Sequence, residues 1–223
     1  MNRLPKRQRF SRLLLLAASL ILVCASAYFV LVDKNRQTTP DAPAFREGDI
    51  IFQITTSPQS GAIQLATGSQ YTHCGVLFEK DGQIYVFEAI KTVSWTPVEQ
   101  WTDRGVDKHF VLMRLKSDRG QLAPTALQAM KRTGQDMEGK PYDLLFQWSD
   151  DKIYCSELVW KIYERGANIT LAPLRTLKEY HLDSALVRAI IKERYGHEIN
   201  LDERVIAPSD LMKSPLLEKI YSN

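Results

Sequence analysis

Two β-rich runs on either side of Asp81-Gly82 constrain the fold of this chain most strongly. Residues 72–79 and 83–90 are rich in β-branched and aromatic side chains. An Asp-Gly pair between two such runs is the strongest short-range signal of a β-hairpin. A two-residue turn at this point places Lys80 opposite Gln83, and every other facing pair follows from that register. The chain is therefore predicted to contain an antiparallel sheet.

The predicted register shows which side chains share a face. His73 lies opposite Ile90 and Gly75 lies opposite Glu88, so alternation makes His73 and Glu88 diagonal neighbours on one face. Gly75 is expected to leave that face open, and Cys74 is expected to point away from His73. A carboxylate beside a histidine fixes its tautomer and stabilises its cation, as a general base requires. A partly buried histidine satisfied by one hydrogen bond is the plainer alternative.

The other predicted elements favour an α+β domain. They are strands at 50–54 and 109–115, a short helix or turn at 57–66, and helices at 124–137, 156–163 and 184–194, the last capped by Asp183. Strands come first and helices mostly later, which is typical of an antiparallel sheet with helices packed against it.

Cys155 lies at the start of a predicted helix. The unpaired amides and the positive dipole end of a first helical turn favour a thiolate. Coupled to His73, this thiolate would be a nucleophile near neutral pH. The backbone amide of Cys155, helped by Tyr154, is the candidate oxyanion donor. An ordinary core cysteine is the alternative.

Other side chains give weaker evidence of function. Trp95 and Trp101 follow the hairpin and are candidates for lining a groove for an acyl chain or sugar, with core packing as the alternative.

A zinc site would need His73, Cys74 and Cys155, but adjacent residues on a strand point to opposite faces. The sequence also contains no Cys-x-x-Cys or His-x-x-x-His. No metal and no cofactor are therefore predicted.

The N-terminal segment indicates export. Residues 1–12 contain five basic residues, and residues 13–32 contain no charged residue. Such a run is long enough to cross a membrane as a helix, and the basic flank places the N-terminus in the cytoplasm. A signal peptide cleaved near Ala25-Ser26-Ala27 and a lipid-modified Cys24 are alternatives that also export the domain.

The body of the protein, residues 45–223, follows a polar linker at 33–44. Without the five N-terminal basic residues, the chain has 24 Lys and Arg against 26 Asp and Glu. A body with this balance lacks the positive charge of a nucleic-acid-binding surface.

The order His, Glu, Cys along the chain resembles that of the circularly permuted papain-like cysteine hydrolases. More narrowly, the chain is similar to the YiiX/YebB-like group of NlpC-type proteins. The segments that carry the resemblance are residues 45–52, 71–76, 86–89, 141–143, 154–159 and 207–211. The resemblance implies an open β-barrel packed against helices, and it assigns the catalytic roles to Cys155, His73 and Glu88.

These features together predict a cysteine hydrolase at a bacterial inner membrane, anchored by one helix, with its catalytic domain in the periplasm. In that location the amide bonds of peptidoglycan stem peptides, or of muropeptides, are reasonable substrates. Relatives of similar fold act on lipids or carry acyl groups, so a lipid or ester hydrolase, or an acyltransferase acting on an acyl-lipid, is the first alternative. A module that binds lipid or cell wall without catalysis is the second.

Overall fold

An antiparallel sheet of six strands forms the centre of the fold. The structure is a computed structural model that describes residues 44–116, 122–196 and 199–223. The strand order is β4-β3-β2-β1-β5-β8. The strands of this sheet are β1 (Ile50–Gln53), β2 (His73–Lys80), β3 (Gln83–Ala89), β4 (Val93–Pro97), β5 (Phe110–Leu115) and β8 (Leu217–Ser222). Two short strands, β6 (Arg175–Thr176) and β7 (Arg204–Val205), form a separate pair.

The predicted anchor at 13–32, the basic tail before it and nearly all of the linker lie outside the described residues. Within the part of the chain that the structure describes, no helix is both long enough and apolar enough to cross a membrane.

The β2–β3 hairpin has the predicted register. Lys80 pairs with Gln83, and the same pairing continues as far as Val76 and Phe87. Asp81 and Gly82 have φ of 53° and 75°, and positive φ at both central residues is what a type I′ hairpin turn requires. The antiparallel sheet is therefore confirmed.

The sheet does not close into a barrel. Its edge strands are β4 and β8, and among the described residues the register shows no pairing between them. The C-terminal strand β8 pairs with β5, and it was not predicted because Leu217–Ser222 alternates too weakly between apolar and polar residues. The open, antiparallel part of the prediction holds, but the barrel does not.

The helices begin and end close to their predicted limits. They are α1 (Ser60–Thr67), α2 (Val98–Asp103), α3 (Pro124–Gln135), α4 (Cys155–Ala167), α5 (Ala185–Tyr195) and α6 (Pro208–Met212). The cap of α5 differs from the prediction, because Ser184 Oγ accepts from the Val187 amide and Asp183 lies one residue too early. The short helices α2 and α6 were not predicted, so this agreement concerns the other four.

Each face of the sheet is covered by a different apolar cluster. One face carries Phe52, Cys74 and Val76, which pack with Cys155 and Leu158 of α4. The other face belongs to a smaller cluster of buried residues: Ile51, Leu77, Val86, Val98, Trp101, Phe110 and Leu112. The start of β2 therefore lies between helix α4 and helix α2, and this position brings the candidate site together.

Candidate active site

His73 and Glu88 meet at the end of the hairpin farthest from its turn. The Nε2 atom of His73 lies 2.6 Å from Oε2 of Glu88, and both side chains are buried. Gly75 stands opposite Glu88, but it does not leave the face open as expected. A Cβ atom at this position would lie 2.4 Å from Cγ1 of Val86, so the space above Gly75 is already filled.

Glu88 accepts hydrogen bonds from three further side chains. The donors are Thr96 Oγ1 at 2.6 Å, Trp101 Nε1 at 2.9 Å and Arg104 Nη2 at 2.7 Å. Burial alone would raise the pKa of Glu88, but the hydrogen bonds and positive charges of His73 and Arg104 lower it to about 2. Glu88 is therefore an anion at every working pH, held in one orientation beside His73.

The structure places the two tryptophans outside the cavities beside Cys155. Trp101 is fully buried, donates to Glu88 and stacks on His73 with ring centroids 6.0 Å apart. Trp95 packs edge-on against Phe87 and donates from Nε1 to Glu138. Trp101 thus supports the carboxylate instead of lining a groove, and Trp95 belongs to the packing of the sheet.

Cys155 is the first residue of α4. The turn before it is held by the Tyr154 amide, which donates to Oε2 of Glu157 at 3.3 Å, and by Ser156 Oγ, which donates to the Ile206 carbonyl at 2.7 Å. The amides of a first helical turn have no partner within the helix, and the helix dipole favours negative charge there. The sulfur is therefore fixed at the point of the fold that best stabilises a thiolate.

Two residues of β2 influence the ionisation of Cys155. Cys74 and His73 hold the pKa of the Cys155 thiol well below its ordinary value, although burial opposes ionisation. Burial also disfavours the cation of His73, but the contacts with Cys155 and Glu88 outweigh it and raise the pKa of His73 to about 9. Because Nε2 of His73 is engaged by Glu88, Nδ1 is the nitrogen that remains for the sulfur. Both pKa shifts favour a thiolate at Cys155 and an imidazolium at His73.

Tyr142 is a site residue that was not predicted. It lines the same cavity as Cys155, and its hydroxyl accepts from Gln59 Nε2 at 3.4 Å. Burial and the charge of Cys155 raise the pKa of Tyr142 well above its ordinary value, so the hydroxyl keeps its proton. The available signal was its place in segment 141–143, one of the six that carry the resemblance.

Tyr154, the predicted helper of the oxyanion, is placed differently. Its hydroxyl accepts a hydrogen bond from the Ile206 amide at 3.2 Å, and its ring packs edge-on against Phe146. This tyrosine lines the cavity at Cys155, but its hydroxyl is engaged with the segment before α6.

Two cavities of different character lie at the site. An apolar cavity of about 100 Å³ is lined by Cys155, and its walls also include Ile63, Phe146 and Leu182. A cleft of about 610 Å³ with both polar and apolar walls is lined by His73, Ser57 and Arg194. Thr72 and Tyr142 line both cavities. A bound molecule that spans the site would therefore place an apolar part beside the sulfur and a polar part beside the imidazole.

A family model described as permuted papain-like amidase enzyme, YaeF/YiiX, C92 family, matches residues 44–221. The chain belongs to this family. Members are papain-like cysteine hydrolases, so the protein is an enzyme of the cysteine hydrolase type, as predicted. The permuted papain-like fold and the resemblance to the YiiX-like group are confirmed with it.

Two further comparisons agree with this family assignment. The chain is 42% identical over 182 residues to YiiX of Escherichia coli K12, which covers 80% of this chain and 89% of YiiX. The crystal structure of metalloprotein YiiX from Escherichia coli O157:H7 is also 42% identical and superposes with a TM-score of 0.76. That superposition covers 80% of this chain and 97% of the YiiX chain.

The residues of this site do not match a metal centre. Within residues 44–116, 122–196 and 199–223, no group of three or more His, Cys, Asp and Glu side chains is arranged to hold a metal ion. Both oxygens of Glu88 already accept hydrogen bonds from side chains. The chemistry proposed below therefore uses side chains alone.

Proposed function

We propose that this C92-family enzyme is an amidase that works through Cys155, His73 and Glu88. The observation that carries the proposal is the 2.6 Å contact between His73 Nε2 and Glu88 Oε2, together with a cysteine at a helix start whose thiol pKa is lowered in part by His73. Nucleophile, base and orienting carboxylate stand in the relationship that an activated cysteine requires.

The first half-reaction would form a thioester. The Cys155 thiolate attacks the carbonyl carbon of the substrate, and the negative charge moves to the carbonyl oxygen. The amide of Cys155 and the hydroxyl of Tyr142 are the donors placed to stabilise that oxygen. His73 then gives the Nδ1 proton to the leaving nitrogen, the C–N bond breaks, and the amine departs.

The second half-reaction would return the free enzyme. His73, now neutral, accepts a proton from a water molecule as that water attacks the thioester carbon. The C–S bond breaks, the acid product leaves, and the thiolate and the imidazolium are restored. Glu88 keeps its charge throughout, because its pKa of about 2 lies far below the pKa of His73.

We further propose that the substrate is the amide bond of a peptidoglycan stem peptide or a muropeptide, and that the protein acts in the periplasm from an N-terminal membrane anchor. The basic residues in 1–12 and the uncharged run at 13–32 support this location. The cleft at His73 is large and has both polar and apolar walls, which suits a peptide leaving group.

The apolar cavity favours a second candidate, an acyl-lipid or ester hydrolase or an acyltransferase. A second apolar cavity between α1 and α5 shares Ile63, Ala66 and Phe146 with the cavity at Cys155. Two adjoining apolar cavities would hold a longer acyl chain than either alone. In this case the carbonyl attacked by Cys155 belongs to a fatty acyl group.

One panel of substrates separates the two candidates. The purified full-length protein is assayed on muropeptides, on amides of increasing acyl length and on the matching esters, with Cys155→Ala as the inactive variant. Cys24→Ala serves as the matched cysteine control and should retain full activity. Turnover of muropeptides supports the amidase, and turnover that rises with acyl length supports the second candidate. Turnover that survives in Cys155→Ala would remove the mechanism.

A cavity variant tests the second candidate directly. Ala66→Trp would fill the space shared by the two apolar cavities, so it should suppress activity on long acyl chains and spare short ones. Leu65→Trp is the matched control, because Leu65 on the same helix is 49% exposed. Equal effects of the two substitutions on every substrate would contradict an acyl-binding role.

A further inference from the structure

Arg194 is a partly buried cation that the mechanism above does not use. It lies near the end of α5 and lines the cleft at His73. Its guanidinium donates from Nη2 to Oε1 of Gln59 at 2.9 Å and from Nη1 to the carbonyl oxygen of Leu144 at 3.2 Å. Gln59 and Leu144 line the same cleft. The guanidinium is therefore held at the cleft wall by two neutral oxygens.

The charge of Arg194 has no carboxylate partner among the described residues. Four arginines of the described part of the chain pair with a carboxylate: Arg104, Arg114, Arg165 and Arg175. Four others form no ion pair with a described residue, and all of them are exposed: Arg46, Arg132, Arg188 and Arg204. Arg194 differs from both groups, because it is partly buried and its hydrogen-bond partners carry no charge. A cation withdrawn from water in this way is stabilised by an anion that binds beside it.

Gln59 connects Arg194 to the reacting centre. Its amide accepts from Arg194 at Oε1 and donates from Nε2 to the hydroxyl of Tyr142 at 3.4 Å. Tyr142 lines both this cleft and the apolar cavity at Cys155. His73, the proposed proton donor to the leaving nitrogen, lines the cleft as well. A substrate group held at Arg194 therefore belongs to the part of the molecule that departs first.

A carboxylate is the group that fits this cation. A guanidinium has five N–H donors in a planar fork that matches the two oxygens of a carboxylate, and Gln59 and Leu144 occupy only two of those donors. Arg104 also lines the cleft, but Glu88 offsets its charge. Glu193 is exposed on the same cleft. Its negative charge disfavours a doubly charged phosphate more than a singly charged carboxylate.

We propose that Arg194 forms a subsite that binds a carboxylate on the leaving-group side of the substrate. The inference rests on the proposed amidase function, because the role of His73 as proton donor identifies the cleft as the leaving-group side. It narrows the substrate class to amides whose amine portion is an amino acid or peptide with a free carboxylate. An amide of a simple alkylamine would leave Arg194 without its partner.

The experiment measures binding to full-length protein carrying Cys155→Ala, so that turnover does not interfere. The probes are a tripeptide muropeptide and the same muropeptide with the carboxylates of its C-terminal residue converted to carboxamides. Isothermal titration calorimetry gives the Kd of both probes in this protein and in the same protein with Arg194→Gln, Arg194→Lys or Arg188→Gln. Arg188 is the matched control, because it lies on the same helix and is exposed.

The free-carboxylate probe should bind roughly tenfold more tightly than the amidated probe, as expected for hydrogen bonds between charged groups. Arg194→Gln should remove this preference, and Arg194→Lys should keep part of it, since the charge remains but the planar fork is lost. Arg188→Gln should keep all of it. Loss of the contact with Gln59 alone would weaken both probes equally, so the ratio of the two Kd values reports the subsite and not the packing. Added salt should reduce the ratio.

A variant at Glu193 covers the case in which Arg194→Gln does not fold. Glu193→Gln removes an exposed negative charge from the same cleft, so it should increase the preference for the carboxylate roughly twofold. Melting temperatures measured in parallel show which variants are folded. A preference that stays unchanged in Glu193→Gln would then overturn the subsite.

Three other results would also overturn the subsite: equal Kd values for the two probes, a preference that persists in folded Arg194→Gln, or no binding of either probe. The substrate panel, run with Cys155 in place, tests the proposed function separately. Turnover of muropeptides without a preference for the carboxylate would remove only the subsite. A preference for the carboxylate without turnover of any amide would remove the amidase and leave a binding site.

Discussion

His73 and Glu88 are fifteen residues apart in the chain, on neighbouring strands, and their side chains are joined by a contact of 2.6 Å between Nε2 and Oε2. The hairpin turn at Asp81-Gly82 fixes this distance through the register of the two strands. The proposed base and its orienting group are therefore parts of one local element, while the nucleophile comes from a separate helix.

The protonation of His73 should depend on Cys155. An NMR titration of the His73 ring should give a pKa of about 9, because Glu88 and the Cys155 thiolate both stabilise the cation. In Cys155→Ala one of the two anions is lost, so the pKa should fall. The same pKa in both proteins would mean that the sulfur and the ring do not interact.

Activity should follow a bell-shaped pH profile. The acid limb reports formation of the Cys155 thiolate and should lie well below the ordinary thiol pKa of 9.0. The alkaline limb should fall near pH 9, where His73 loses the proton that the leaving group needs. The measurement is kcat/KM on the best substrate of the panel. A profile that still rises above pH 10 would be incompatible with a thiolate–imidazolium pair.

Replacing Glu88 by glutamine should reduce kcat/KM by roughly 10²- to 10⁴-fold, the range typical of losing general acid–base catalysis. The amide keeps the shape of the side chain but lacks the charge that stabilises the His73 cation. Glu79→Gln is the matched control, since Glu79 lies on β2 but is exposed. Comparable losses in both variants would deny Glu88 a special role.

The pair formed by His73 and Glu88 should make the free energy of unfolding depend on pH. The pKa of His73 rises from 6.5 to about 9 on folding, so its contribution is complete below pH 6.5 and disappears between pH 6.5 and 9. The pKa of Glu88 falls from 4.5 to about 2, so its contribution is complete above pH 4.5 and disappears between pH 4.5 and 2. Melting temperatures should therefore show their largest difference between the protein and Glu88→Gln from about pH 4.5 to 6.5. A difference that is constant from pH 3 to 9 would contradict this linkage.

Tyr142 and Tyr154 should respond differently to the loss of a hydroxyl. Tyr142→Phe removes a donor beside the sulfur, and the loss of one oxyanion donor reduces kcat by roughly 10²- to 10³-fold. Tyr154→Phe removes the acceptor of the Ile206 amide and should lower stability by roughly 1–3 kcal/mol, with a smaller effect on kcat. The opposite ranking in kcat would return the oxyanion role to Tyr154.

Gly75→Ala should destabilise the protein by roughly 1–3 kcal/mol, as overpacking of a core usually does. The added Cβ would lie 2.4 Å from Cγ1 of Val86 and 2.9 Å from the carbonyl oxygen of Phe87. Gly61→Ala is the control, because its nearest neighbour is the flexible end of Leu186 at 3.2 Å. Denaturant unfolding of the two variants gives the comparison, and equal stabilities would show that the sheet can move apart at Gly75.

The sequence allowed the hairpin and its register to be predicted because one turn determines every facing pair. Helix α4 was predictable from its apolar stripe. These are local features. Each depends on residues close together in the chain.

Features that depend on distant parts of the chain could not be predicted in this way. Alternation along β2 gave Cys74 and His73 opposite faces, but both residues lower the pKa of the Cys155 thiol, which belongs to a helix far away in the chain. The burial of Trp101 against Glu88 follows from helix α2, which is too short to leave a periodic pattern. The apolar cavity is built from α1, the start of α4, the segment between β6 and α5, and β7 with the residues that follow it, and no local rule anticipates that these elements meet.

The order of the site residues in the chain has a consequence for how the enzyme is made. A ribosome synthesises the strands that carry His73 and Glu88 first, and the codon for Cys155 is read only afterwards. Until α4 docks on β2, that cysteine has neither the helix dipole nor the imidazole beside it and behaves as an ordinary, slowly reacting thiol. Fast labelling of Cys155 in mildly acidic solution would thus report, in a crude lysate and without purification, which fraction of newly made molecules has reached the native state.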